Sequence, residues 1–203
     1  GEGGVNPIDP AFLQGLAELC RKNNLLLMAD EVQTGLGRTG KYFAWQHTGI
    51  KPDILTVAKA LGAGVPIGAM LATEDVAAAF VPGDHSTTVG GGGIAFAVGL
   101  EVLRIMEEEN LPERAARLGE DLKVLFAEWQ KEIPVIKEVR GWGLLLALDL
   151  TVSSKPLVMK ALEKGLIINA VTSTAIRLAP PLNVDEETLK RGLQILRRIL
   201  EEA

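Results

Sequence analysis

Two short apolar runs, each closed by a charged residue, limit most strongly what this chain can fold into. Residues 25–29 and residues 54–58 are apolar apart from one threonine, and they end at Asp30 and Lys59. Runs of this length without alternating polar residues are typical of strands that are buried on both faces of a parallel sheet. The stretch between them has the size of a crossover connection. The sequence therefore predicts an α/β fold with neighbouring parallel strands.

Further elements are predicted on either side of these strands. A helix begins at Asp9 and Pro10, because these residues suit the N-cap and the first helical position. A third strand is predicted within residues 67–73. Long helical patterns then cover residues 94–109 and residues 112–131.

The pattern changes after a run of four glycines at residues 90–93. Short strand patterns follow, among them one at residues 175–178, with one helix between them. A last helix closes the chain, and Asn183 is predicted to cap it. This change predicts a domain boundary near residue 95. Residues 1–95 are expected to be the latter part of a large domain, and residues 96–203 a small α+β domain.

The composition excludes several classes of function. The net charge is −5, aromatic residues make up 4% of the chain, and no block of basic residues is present. A nucleic-acid partner is therefore not expected. The longest apolar runs are far shorter than a membrane span, so no membrane association is expected either. With one cysteine and two histidines, the sequence predicts no disulfide, no metal site and a cytoplasmic location.

Gly35, Gly37 and Gly40 form a literal G-x-G-x-x-G motif behind the first strand. In a dinucleotide-binding fold the glycines come in the first tight turn after the strand, and an acidic residue ends the next strand. Here several polar residues come before the first glycine, and Asp53 begins the next strand instead of ending it. A structural loop is the better interpretation, and a nicotinamide-dependent oxidoreductase is kept as the weaker alternative.

Asp30 and Lys59 form a more informative pair. Each ends a predicted parallel strand, and ligands bind in the crevice at the carboxyl ends of such strands. A lysine amine is a nucleophile, and a carboxylate can hold a heterocyclic nitrogen protonated. Pyridoxal phosphate enzymes need these two groups. On spacing alone, a lysine–aspartate ion pair at the edge of a sheet explains the two residues equally well.

Longer motifs around these residues resemble the class III aminotransferases of fold type I. They include Asp-Glu-Val-Gln-Thr-Gly at residues 30–35, Lys-Pro-Asp-Ile-Leu-Thr-Val-Ala-Lys at residues 51–59 and Arg-Leu-Ala-Pro-Pro-Leu at residues 177–182. The resemblance covers the whole chain and is greatest to the members that act on N-acetylornithine. It implies part of a mostly parallel large-domain sheet followed by a small α+β C-terminal domain.

The resemblance also implies which residues bind the cofactor, pyridoxal 5'-phosphate. Lys59 matches the lysine that bonds to the cofactor aldehyde and later carries the proton, and Asp30 matches the partner of the pyridinium nitrogen. Gln33 matches the residue that hydrogen-bonds the phenolic oxygen. Thr88 matches the threonine that reaches the cofactor phosphate of the neighbouring subunit, which implies a homodimer.

The substrate residues implied by the resemblance are Arg177 and Glu2. Arg177 matches the arginine that binds a substrate carboxylate, a task that suits its bidentate fork. Glu2 matches the glutamate that pairs with this arginine. The implied reaction moves an amino group from N-acetylornithine, or a related ω-amino compound, to 2-oxoglutarate in arginine biosynthesis. Without the resemblance, Arg177 could be one member of a surface ion pair, and Glu2 could be an exposed glutamate near the start of the sequence.

Two departures from the family pattern leave a further alternative open. The chain begins where the pattern is about half over, so the C-terminal half of such an enzyme is expected. At residues 90–93, glycines stand where the family usually has Asn-Pro after two glycines, and ordering them is costly in conformational entropy. A non-catalytic fragment that lacks a complete cofactor site is therefore kept as an alternative.

Overall fold

The computed structural model describes residues 1–86 and 92–203 of the chain. Its strands are β1 (Met28–Asp30), β2 (Ile54–Val57), β3 (Ala69–Ala72), β4 (Ile136–Trp142), β5 (Leu145–Leu150), β6 (Asn169–Ala170) and β7 (Ala175–Leu178). Its α-helices are α1 (Pro10–Lys22), α2 (Glu74–Ala77), α3 (Gly93–Glu108), α4 (Leu111–Glu132), α5 (Ser154–Glu163) and α6 (Glu186–Glu201). Two short 3-10 helices cover Ala44–His47 and Lys59–Gly62.

The described residues divide into two compact units. The N-terminal unit consists of Ile8–Gly37 and Lys41–Pro112, and the C-terminal unit consists of Gly1–Pro7, Arg38–Gly40 and Glu113–Ala203. Helix α3 belongs to the N-terminal unit, and the domain boundary near residue 95 stays a prediction. Within the described ranges, no helix is both long and apolar enough to cross a membrane.

The sheet of the N-terminal unit has the strand order β1-β2-β3. Strands β1 and β2 are parallel, with Asp30 opposite Thr56, which confirms the predicted parallel pair. Strand β3 lies within the predicted range but runs antiparallel to β2, so this sheet is mixed. Only a 3-10 helix lies between β2 and β3, and a parallel connection needs a longer crossover.

The prediction that the first strand is buried on both faces is wrong for the described residues. Leu25, Leu26 and Met28 are 57%, 56% and 62% exposed, and the strand itself is only three residues long. Side chains of a strand point to the faces of its sheet, and no element within the described residues covers these three. The apolar pattern identified the strand without showing which elements would cover it.

The sheet of the C-terminal unit has the strand order β4-β5-β7-β6 and is antiparallel throughout its described pairs. Residues of β5 alternate between its two faces. Leu146, Leu148 and Leu150 point into the core, where they meet residues of α4, α5 and α6. Among the core residues on these helices, Phe126 and Ile199 are fully buried. The small α+β unit predicted for this part of the fold is confirmed.

The opposite face of the same sheet carries the beginning of the chain. Leu145 and Ala147 of β5 form a small buried cluster with Val5. Asp149 follows on the same face, since side chains two residues apart on a strand point the same way. The segment that contains Glu2 is therefore seated on this sheet.

Candidate functional site

Asp30 and Lys59 lie at the same end of the sheet in the N-terminal unit. Asp30 is the last residue of β1, and Lys59 begins the 3-10 helix after β2. Because β1 and β2 are parallel, their carboxyl ends meet at one edge. The Oδ1 atom of Asp30 accepts a hydrogen bond from the Val32 amide at 2.9 Å. Asp30 and Lys59 are both exposed. The structure thus brings the predicted carboxylate and amine to a common edge.

The backbone of Lys59 is in the left-handed region, with a φ of 46°. This conformation is uncommon for a residue with a Cβ atom, and such residues often mark functional sites. The strained position directs the chain out of β2 and into the 3-10 helix, which packs through Gly62. A Cβ atom at Gly62 would lie 2.7 Å from Ile67 Cγ2, so the turn is tightly closed.

The left-handed backbone at Lys59 predicts a difference between two substitutions. We expect Lys59→Gly to be more stable than Lys59→Ala by about 1 kcal/mol, because glycine adopts a positive φ without the Cβ penalty. Urea unfolding of the two variants measures this difference. Equal stabilities would show that the left-handed conformation is not held in solution.

The turn that follows Asp30 is organised by Glu31, which is only 4% exposed. Its carboxylate accepts hydrogen bonds from Thr34 Oγ1 at 2.5 Å, from the Ala44 amide at 3.0 Å and from the Trp45 amide at 2.9 Å. Gln33 lies inside this turn, and its Oε1 atom is buried. No local signal in the sequence indicated this role of Glu31, because two of its three partners, Ala44 and Trp45, lie 13 and 14 residues away.

The three glycines of the G-x-G-x-x-G motif pack against protein atoms. A Cβ atom at Gly35 would lie 2.8 Å from the Glu31 carbonyl oxygen, and one at Gly40 would lie 2.9 Å from Ala116 Cα. The Gly37 amide donates to the Tyr42 carbonyl at 3.3 Å. The motif leads into a 3-10 helix and not into a long helix with a free N-terminus. These contacts support the structural interpretation of the motif over a dinucleotide-binding one.

Arg38, inside that motif, is another residue whose role the sequence did not reveal. Its Nη1 atom donates to the carbonyl oxygens of Leu144 at 3.2 Å and Pro180 at 2.6 Å. Burial lowers the pKa of the Arg38 guanidinium. The contact with Pro180 holds the segment that follows β7, and β7 carries Arg177.

Arg177 and Glu2 form an ion pair in the C-terminal unit. The Nη1 atom of Arg177 lies 2.5 Å from Oε1 of Glu2, although the residues are 175 positions apart. The Arg177 side chain is 17% exposed, and that of Glu2 is 72% exposed. The guanidinium is therefore largely covered, while the carboxylate that neutralises it is open to solvent. Such a carboxylate can be exchanged for that of a small molecule.

Two other predictions concern Thr88 and metals. Thr88 lies outside the described residues. Across residues 1–86 and 92–203, no group of three or more histidine, cysteine, aspartate or glutamate side chains is arranged to hold a metal ion.

Known proteins resemble this chain over its whole length. The model of the aminotransferase class-III family matches residues 1–200. The acetylornithine aminotransferase of Caldanaerobacter subterraneus subsp. tengcongensis is 43% identical over 203 residues, which are 100% of this chain and 51% of the relative. That of Aquifex aeolicus is 46% identical over 200 residues, or 98% of this chain and 51% of the relative. The chain thus spans about half the length of these curated relatives.

Solved structures agree with this relationship. The ornithine δ-aminotransferase of Plasmodium falciparum superimposes with a TM-score of 0.92 at 40% identity, over 100% of this chain and 52% of its own. An acetylornithine aminotransferase from Elizabethkingia anophelis gives a TM-score of 0.92 at 37% identity, over 100% of this chain and 55% of its own. Class III aminotransferases use pyridoxal phosphate as their cofactor. The fold, the site geometry and these matches together place the chain in the class III aminotransferase family.

Proposed function

We propose that this chain carries the reacting lysine of an aminotransferase that moves an amino group from N-acetylornithine, or a related ω-amino compound, to 2-oxoglutarate in arginine biosynthesis. The observation that carries the proposal is the position of Asp30 and Lys59 at the carboxyl ends of adjacent parallel strands. The relatives named as acetylornithine aminotransferases support N-acetylornithine as the donor.

Three described residues carry the functional groups that the ring of pyridoxal phosphate needs: the carboxylate of Asp30, the amide of Gln33 and the amine of Lys59. When bound, this cofactor supplies a ring that withdraws electrons from the carbon carrying the substrate amine. Asp30 would hold the ring nitrogen protonated, and Gln33 would donate to the phenolic oxygen. The Lys59 amine would bond to the cofactor aldehyde and, once released, would move a proton at the substrate carbon. Thr88 is proposed to bind the phosphate of the cofactor that is held by a neighbouring subunit.

Arg177 is proposed to bind the substrate carboxylate, with Glu2 as its partner when no substrate is present. The guanidinium offers two parallel donors to a carboxylate, which a single lysine amine does not. Because Glu2 is mostly exposed, a substrate carboxylate can replace it without opening the core. Arg177 can then bind the carboxylate of the amino acceptor, 2-oxoglutarate. It can also stay paired with Glu2 while the amino-donor substrate is bound.

Loss of the guanidinium predicts weaker binding of the acceptor. We expect Arg177→Met to raise the dissociation constant of 2-oxoglutarate about 10- to 100-fold, because a hydrogen-bonded ion pair with the ligand is lost. Calorimetry with pyridoxal phosphate present measures this constant. Arg191→Met is the matched control, since Arg191 is an exposed arginine on α6 of the same unit. An unchanged constant for Arg177→Met would remove Arg177 from the substrate site.

The reaction itself is tested by product formation. The chain is incubated with pyridoxal phosphate, 2-oxoglutarate and one donor at a time, and glutamate is measured. N-acetylornithine is expected to give more glutamate than ornithine or 4-aminobutyrate. A faster reaction with one of the other two donors would change the assigned substrate.

A second candidate function is a non-catalytic fragment of such an enzyme that lacks a complete cofactor site. It is favoured by the share of its relatives that the chain covers and by the exposed apolar side chains of Leu25, Leu26 and Met28. No absorbance from bound cofactor, and no glutamate from any donor, would support this second function. The homodimer and the cytoplasmic location remain predictions.

A further inference from the structure

Arg140 and Arg177 lie in the same cross-strand row of the C-terminal sheet. Arg140 of β4 is paired with Ala147 of β5, and Ala147 is paired in turn with Arg177 of β7. Paired residues on neighbouring strands point to the same face of a sheet, so both arginines lie on the face opposite the core. In this row only Ala147 stands between them.

Residues 1–5 form a hydrogen-bonded turn on this row. The amides of Gly4 and Val5 donate to the carbonyl oxygen of Gly1 at 3.2 and 3.0 Å. Val5 is 4% exposed and belongs to one buried cluster with Leu145 and Ala147. The Glu2 side chain is 72% exposed, and this turn fixes the backbone from which it extends.

Arg140 is hydrogen-bonded to the turn at Gly4. Its Nε atom donates to the Gly4 carbonyl at 2.8 Å, and its Nη1 atom donates to Glu138 at 2.7 Å. Gly4 has a φ of +111°, and a Cβ atom there would lie 3.0 Å from Arg140 Nη2. A Cβ atom at Gly4 would therefore press on the Arg140 guanidinium, and the positive φ adds backbone strain to any substitution there.

Asp149 holds Arg140 in this place. Its Oδ2 atom lies 3.7 Å from Arg140 Nη1 and 3.2 Å from Lys137 Nζ, and Oδ1 accepts from Thr174 at 2.8 Å. Burial raises the pKa of Asp149, but the hydrogen bonds from Thr174 and Lys137, with the charges of Lys137 and Arg140, outweigh it and hold the pKa below its ordinary value. Asp149 is thus a fixed negative charge beside Arg140 at neutral pH.

We propose that Arg140 is a positioning residue for the carboxylate site at Arg177. By holding the Gly4 carbonyl, it keeps Glu2 on the Arg177 guanidinium until a substrate carboxylate displaces it. The inference rests on the proposed role of Arg177 in binding substrate carboxylates. A residue that touches no substrate then sets how strongly the acidic substrate must compete for the site.

Binding of 2-oxoglutarate to the chain, measured by calorimetry, tests the competition. Arg140→Met is expected to tighten binding roughly two- to fivefold, the range for release of one exposed ion pair, and Glu2→Gln to do the same. In the Glu2→Gln background, Arg140→Met is expected to give no further tightening. Lys137→Met is the matched control. It removes a positive charge from the same strand and breaks an ion pair with the same carboxylate, that of Asp149, but it leaves the contact between Arg140 and Gly4 in place.

A second measurement does not depend on ligand binding. Nitrogen-15 NMR of the Arg177 guanidinium reports whether the group is held in an ion pair, through slowed exchange of its protons. Glu2→Gln and Arg140→Met should both restore fast exchange, and Lys137→Met should not. Gly4→Ala displaces the turn while keeping Arg140, so it should also restore fast exchange if Arg140→Met fails to fold.

The outcomes separate this inference from the proposed function. If exchange at Arg177 stays slow in Arg140→Met and in Gly4→Ala, Arg140 does not position Glu2 and the inference is overturned. If exchange becomes fast but no variant binds 2-oxoglutarate, the role of Arg177 in substrate binding fails, while the positioning of Glu2 by Arg140 holds. Tightening by Arg140→Met that persists in the Glu2→Gln background would also contradict the inference.

Discussion

Replacement of Lys59 by alanine is expected to abolish covalent labelling of the chain by pyridoxal phosphate and borohydride. Borohydride reduces the bond between a lysine amine and the cofactor aldehyde, so the label stays on the lysine that formed it. In the unmodified chain, peptide mapping by mass spectrometry should find the label on Lys59. Any amino transfer by the variant should fall by at least about 10²-fold, since the proton carrier is lost as well.

Lys51→Ala is the matched control for this experiment. Lys51 is also exposed and lies just before β2, at the opposite end of the strand from Lys59. Labelling at Lys59 should be unchanged in this variant. Label spread over several lysines of the unmodified chain, or amino transfer retained by Lys59→Ala, would refute the assignment.

A large loss of stability is expected for Gly143→Ala in the C-terminal unit. A Cβ atom at Gly143 would lie 2.6 Å from the Gly40 nitrogen and 2.8 Å from the Arg38 carbonyl oxygen, and still closer to the carbonyl carbon of Thr39. Backbone atoms cannot turn away as a flexible side chain can. With the added strain of its φ of 53°, the substitution should lower the free energy of unfolding by about 2–5 kcal/mol.

Gly165→Ala isolates the effect of backbone conformation from that of crowding. Gly165 has a φ of +79°, but a Cβ atom there would meet nothing within 4 Å. Its substitution should cost only about 1 kcal/mol. Urea unfolding followed by tryptophan fluorescence compares the two variants, because Trp129 is buried in the same unit. Equal losses for the two variants would contradict the close packing at Gly143.

Local signals in the sequence predicted several elements well. Asp9 caps α1 as expected, with its Oδ1 atom accepting from the Ala11 amide at 2.7 Å. Strand β7 covers Ala175–Leu178 as predicted, and β2 ends one residue before its predicted end. In each case the apolar pattern or the capping residue acts within a few positions along the chain. That Asp30 and Lys59 lie at the same end of the sheet followed from these signals and from the parallel pairing of β1 with β2.

Two kinds of feature could not be predicted from local signals: a choice between neighbouring capping residues, and contacts between residues far apart in the sequence. Asn183 was expected to cap the last helix, but Asp185 does so, with its carboxylate accepting from the Thr188 amide at 2.7 Å. Both residue types cap helices, so the local pattern could not distinguish them. The contact between Arg140 and Gly4 depends on the register of a whole sheet and has no local signal. The pairing of Glu2 with Arg177 was predicted only from the resemblance to a known family.

The exposed apolar side chains of the N-terminal unit have a consequence for the protein in solution. Besides Leu25, Leu26 and Met28, they include Phe12, Ile94, Phe96 and Leu100, each more than half exposed. Exposed apolar side chains favour self-association, because burying them against another molecule removes apolar area from water. Because that force weakens on cooling, preparations of the chain should be more dispersed in the cold than at room temperature. The temperature dependence of self-association thus follows from the apolar side chains that the N-terminal unit leaves exposed.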